Sequence, residues 1–96
     1  VIKILKIDVV SANTSFANGW FFIKIGNIDW DRMIARYLDL SLEEYRKILI
    51  KHGAVIIKTE DIYDEIEEDC YFRNKEDAEK CLIELEPIYV MAKLIK

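Results

Sequence analysis

Seven of the thirteen residues in EDIYDEIEEDCYF, residues 60–72, are carboxylates, and none is basic. Clustered carboxylates can hold a hard cation, exchange protons as an acid–base pair, or offer negative charge to a basic partner. A calcium loop needs the D-x-[DN]-x-[DN]-G alternation and its glycine, and this stretch has neither. A structural zinc site needs four nitrogen or sulfur ligands, and the chain has a single histidine, His52, and two separated cysteines, Cys70 and Cys81. Glycosidase-type acid–base work needs two opposed carboxyls across a cleft. A 96-residue chain with its acids in one run offers little cleft. The glycines, at 19, 26 and 53, are isolated, so no phosphate-cradling loop is present.

A Cys–His pair, Cys70 or Cys81 with His52, is the remaining catalytic arrangement. His52 falls where a helix should end, a position that suits a cationic or dipolar ring. Cys81 falls on an apolar helical stripe as a small filler. The expectation is therefore a protein that is not an enzyme, with no catalytic residues, no metal and no cofactor. The acids Glu60, Asp61, Asp64, Glu65, Glu67, Glu68 and Asp69 are then left to meet a basic partner or to solubilise an edge.

Charge is polarised along the chain. Residues 1–58 hold nine Lys/Arg and six Asp/Glu, net +3; residues 59–96 hold five and twelve, net −7. Such asymmetry can present an acidic surface to a basic partner, or serve only to solubilise helices and edges. Trp20, Phe21 and Phe22 are consecutive, and strand alternation must turn Phe21 away from the other two. A one-faced sheet would leave part of this aromatic cluster outside, as an interface to a partner or to a second copy in a homodimer, whereas a sheet covered on both sides by the helices and the long loop would bury it. No apolar run reaches membrane-spanning length. The opening VIKILKIDVV lacks the pattern of a secretion signal, and two cysteines make no disulfide framework; a reduced, cytoplasmic protein is expected.

The elements that must position these residues follow from periodicity. VIKILKIDVV, 1–10, and WFFIKI read as antiparallel strands joined by a long loop with a turn at Asn18-Gly19. Trp30, Met33, Ile34, Tyr37 and Leu38 fall on one helical face, with Asp29 as N-cap. Ser41 and Glu44 form a capping box for a second helix, with Leu42, Tyr45, Ile48 and Leu49 inward, ending at His52-Gly53. AVIIK is a short buried strand. The acidic stretch fits both periods; Ile62, Ile66 and Cys70 line up either way, and its last part, CYF, reads as a strand. Asn74 then caps a helix carrying Ala78, Cys81, Leu82 and Leu85 inward, Pro87 stops it, and IYVMAKLI closes the chain as a strand. The expected fold is a single α+β domain over 1–96 in the order β-β-α-α-β-β-α-β, a mainly antiparallel sheet with helices packed on one face.

MIARYLDLSLEEYRKIL, within residues 33–51, resembles the helix-turn-helix of bacterial regulators. Ala35 stands at the small-residue position, Leu38 and Leu40 flank the turn, Ser41 caps the second helix, and Tyr45 and Ile48 face inward. The segment departs from the motif at Asp39, where glycine is usual, and at Glu43 and Glu44, which oppose phosphate contact. Arg46, Lys47 and Lys51 are left to touch backbone. A small DNA-binding regulator is the alternative function.

The compact size, the Ile/Lys/Glu-rich composition and the phrase CYFRNKEDAEKCLIELEP resemble small phage- or mobile-element-encoded accessory proteins, anti-CRISPR inhibitors among them. That resemblance implies an inhibitor that binds a host defence protein, with its acidic surface standing in for nucleic acid in a basic groove.

Overall fold

The computed structural model describes residues 5–13, 17–60 and 66–94, with side chains at 59, 60 and 66 excepted. The order is β1 (Ile7–Ser11), β2 (Phe21–Ile25), α1 (Asp31–Tyr37), α2 (Leu42–Lys51), β3 (Val55–Glu60), β4 (Ile66–Tyr71) and α3 (Lys75–Lys93). The chain is an α+β domain, as the sequence led us to expect, with differences in the sheet, at the C-terminal end and at the start of α1.

The first difference is in the sheet. In place of one sheet there are two antiparallel hairpins, β1–β2 running from Ile7↔Ile25 to Ser11↔Phe21, and β3–β4 running from Val55↔Tyr71 to Glu60↔Ile66. Among the described residues a single pair stitches them. The Phe21 amide donates to the Phe72 carbonyl at 2.8 Å, and the Phe72 amide returns to the Phe21 carbonyl at 2.7 Å. Phe72 itself is 0% exposed. Strand pairing is thus replaced after one rung by side-chain packing.

The second difference is at the C-terminal end. Pro87 lies inside α3, and IYVMAKLI is helix as far as Lys93. Proline within a helix removes one hydrogen bond and costs roughly 3 kcal/mol. Against that stands one unbroken stripe, Ala78, Cys81, Leu85, Tyr89 and Ala92, all buried. Continuing the helix keeps Tyr89 in register, worth roughly 2–3 kcal/mol of burial, and lets its hydroxyl donate to the Leu5 carbonyl at 2.7 Å, worth about 1 kcal/mol more. Burial and this bond offset the proline. Pro87 is on the exposed side, where water can satisfy the Ile83 carbonyl.

Local signals placed the other boundaries. Ser41 and Glu44 form the capping box, with Glu44 N–H to Ser41 Oγ at 3.0 Å and Ser41 N–H to Glu44 Oε1 at 3.1 Å. His52 caps the end of α2 and Gly53 follows at φ 98. Asn74 is the N-cap residue of α3, though its amide nitrogen donates sideways to Asp77 at 3.2 Å.

Helix α1 begins later than periodicity suggests. Trp30, in extended conformation, precedes it, and Asp29 caps nothing. Trp30 is 55% exposed and Met33 47%, whereas Ile34 and Leu38 are buried. The expected inward face of five residues is therefore narrower: Trp30 lies outside the helix, where the 3.6-residue period has no meaning. The core forms where α3 covers the β1–β2 hairpin and the α1–α2 pair brings Ile34, Leu38, Tyr45 and Leu49 against Cys70 and Phe72.

Candidate functional site

Strand β4 positions what the structure describes of the acidic stretch. Alternation sends Cys70 (2% exposed) and Phe72 inward and leaves Glu67 exposed and Asp69 half-buried on the other side. Asp61, Asp64 and Glu65 lie outside the described residues, as does Ile62, and of Glu60 only its place in β3 is described.

One edge of β4 pairs with β3. The other edge is covered group by group, which keeps an open strand from pairing with a foreign chain. The Glu68 carbonyl accepts from an Arg46 guanidinium nitrogen. The Cys70 amide donates to Asp31 Oδ2 at 2.9 Å. Phe72 pairs with Phe21. In return, the Asp31 amide donates to Asp69 Oδ1 at 3.2 Å. Asp69, 38 residues away, supplies the cap that Trp30 does not.

Arg46 closes this assembly. Its Nε lies 3.5 Å from Asp31 Oδ2, and another guanidinium nitrogen lies 3.6 Å from Glu68 Oε2. Glu68 also meets Lys58, its cross-strand neighbour, at 3.4 Å. The three acids of β4 therefore differ. Glu68 is compensated by two cations, Asp69 is half used as a helix cap, and Glu67 projects into solvent.

Asp31 is only 4% exposed. Burial disfavours its ionised form and pushes the carboxyl up to about 6; the Cys70 thiol, the Cys70 amide and Arg46 oppose the rise, while Asp69 adds to it. The unfolded chain ionises this group near 3.8, so between the two values the folded state holds more protons. Stability from this group is accordingly full below about pH 4, falls as pH rises toward 6, and is level above that. The expected fall is about 3 kcal/mol. Urea midpoints of the wild type and of Asp31→Asn, compared at several pH values, should show this slope in the first and not in the second.

Two clefts meet at the exposed side of this assembly. One, of about 330 Å³, is lined by Asp29, Glu67 and Asp69 together with Phe22, Trp30 and Tyr71, and among the described residues by no lysine or arginine. The other, of about 580 Å³, is lined by Arg32, Met33, Leu42, Arg46 and Glu68. Trp30, Glu67 and Asp69 border both. Phe22 stands edge-on to Tyr71, with ring centroids 6.0 Å apart. Trp20 lies outside β2 with the Arg73 guanidinium 5.1 Å above its ring. Phe21 turns inward against the core. Within β2 alternation turns Phe21 and Phe22 to opposite faces, and of the triplet Phe22 alone lines the cleft. Trp30 is the residue that sequence reasoning missed, because it was assigned to the buried stripe. Its position between Asp29 and Asp31, ahead of a helix, was the available signal.

The other candidates are placed as follows. His52 Nε2 lies 3.1 Å from Glu84 Oε1, which also pairs with Lys51. Both thiols are buried and unbridged. Burial pushes Cys81 up to about 12 and Cys70 higher still, so neither is a ready thiolate. Among the described residues no group of three or more His, Cys, Asp or Glu could hold a metal ion, and no helix is long and apolar enough to cross a membrane.

In the 33–51 segment, Asp39 adopts φ 57, the conformation glycine would supply, and Ala35 is buried at 1% exposure. The turn between α1 and α2 thus forms with Asp39 at its left-handed position. Of the bases on α2, however, Arg46 and Lys51 are engaged by carboxylates of the chain itself. Comparison with known proteins adds nothing to these observations: no family model, no curated protein and no solved structure matches the chain.

Proposed function

We propose that this protein is a binding module that works without catalysis, using the face built by β4 and the start of α1 to take a basic surface of a partner protein. One observation carries the reading: the cleft with three carboxylates, Asp29, Glu67 and Asp69, three aromatic rings and no compensating base among its described lining residues. Carboxylates beside aromatic faces suit a guanidinium or ammonium group, which gains charge pairing and stacking together. The kind of partner, a host defence protein whose nucleic-acid groove is blocked, rests on the resemblance to phage accessory proteins.

Asp69 caps α1 and Glu68 holds Arg46, so reversing either confuses binding with folding. Asp29 and Glu67 are exposed and separate the two. D29K/E67K should keep the far-UV spectrum of the wild type and weaken capture of the basic partner about a hundredfold, with the wild-type affinity falling as salt rises. The partner is sought by pull-down from the host with and without nuclease. A protein catch that survives nuclease and is lost in D29K/E67K supports the proposal. A catch that vanishes with nuclease favours the DNA-binding alternative, and one indifferent to the substitutions sinks the acidic face as the site.

A further inference from the structure

Helix α3 is apolar on two opposite sides. One side packs on the core. On the other, Ile83 is 69% exposed, Val90 37%, Met91 59% and Leu94 42%, with Pro87 exposed between them. A surface helix ordinarily turns charge to this side. The spacing 83, 87, 90, 94 alternates steps of four and three, which is the a/d seam of a coiled coil and calls for another helix as its occupant. Beside the seam runs an apolar groove of about 500 Å³, bounded by Leu38, Leu40, Ile88 and Met91.

We propose that the occupant is α3 of a second copy of this chain, laid antiparallel across a two-fold axis near residues 88–89. In that arrangement Ile83 meets Leu94 of the second copy and Pro87 meets Val90, and the same contacts recur by symmetry. Charge selects this occupant and this direction. From Lys75 to Glu86 the helix carries Lys75 and Lys80 against Glu76, Asp77, Glu79, Glu84 and Glu86, net −3; beyond Pro87 its only charge as far as Leu94 is Lys93. Antiparallel pairing sets Glu86 beside Lys93 of the second copy, twice per dimer. Parallel pairing would set Glu86 beside Met91 of the second copy and lose both of these ion pairs. Lys93 lies over the Tyr37 ring at 4.3 Å in the single chain, and pairing turns its ammonium toward Glu86 of the second copy. The dimer face is separate from the acidic cleft, so either assignment can fail alone.

The test is sedimentation equilibrium across about 1 μM to 500 μM protein, with circular dichroism to verify folding. Ile83 and Glu86 are exposed, so their variants should fold as the wild type does. The wild type should show a concentration-dependent dimer. I83E should weaken it at least a hundredfold, E86K about tenfold, and E86K/K93E should recover most of what E86K loses. A wild type that stays monomeric throughout overturns the proposal. So does a dimer unmoved by I83E, which would lie elsewhere, or a double swap that recovers nothing, which would rule out the antiparallel register.

Discussion

Phe72→Ala is expected to lower the unfolding free energy by about 4 kcal/mol, a large part of the stability of a domain this size. Phe72 is fully buried, and it lies at the rung that joins the two hairpins among the described residues. Truncating its ring leaves a cavity facing residues of α1, α2 and β4 at once, so relaxation from one side cannot fill it. The backbone rung to Phe21 uses main-chain groups and should survive the substitution. Urea denaturation would check this, with Phe72→Leu as the control. Leucine retains most of the apolar contact and should cost about half as much. Equal losses for the two variants would mean that ring shape, and not volume, is what the core needs at this point.

Arg46→Ala should cost about 3 kcal/mol at pH 7.5. The side chain does three things at once: it neutralises Asp31, pairs with Glu68 and covers the Glu68 carbonyl on the open edge of β4. Without it Asp31, 4% exposed, has no cation beside it. Because Asp31 can escape by taking up a proton, the loss should shrink at pH 5, where that group is already mostly protonated in the folded protein. An Asp31→Asn background should reduce the penalty further, since the buried charge is then absent; the double-mutant cycle measures that coupling. A penalty identical at both pH values, or additive with Asp31→Asn, would show that Arg46 acts through Glu68 and the packing of its stem and not through Asp31.

Much of the fold was legible in the residues alone because the signals are local. The Ser41–Glu44 box, the glycine after His52, the Asn18-Gly19 turn and the inward Cys70 and Phe72 each depend on neighbours within a few positions. The turn between α1 and α2 was legible as well, although Asp39 rather than glycine supplies the left-handed residue. The acidic run was equally plain as a composition, and its outward, carboxylate-rich side at Glu67 follows from alternation.

What the sequence could not determine was decided across long separations. IYVMAKLI is apolar all round, so it has no period to read. Only the stripe continued from Ala78 and Cys81, and the reach of Tyr89 to Leu5, make it helix. Trp30 looked like core because the helix was expected to start there. It is exposed because Asp69, from the far side of the chain, caps the helix one residue later. The three acids of β4 look equivalent in sequence, yet packing commits Glu68 to Arg46 and Lys58 and half of Asp69 to α1, and leaves Glu67 outward. Composition determined that the surface would be acidic. Which carboxylates remain available depends on which cations and amides the fold brings within hydrogen-bonding distance, and that is a property of tertiary structure alone.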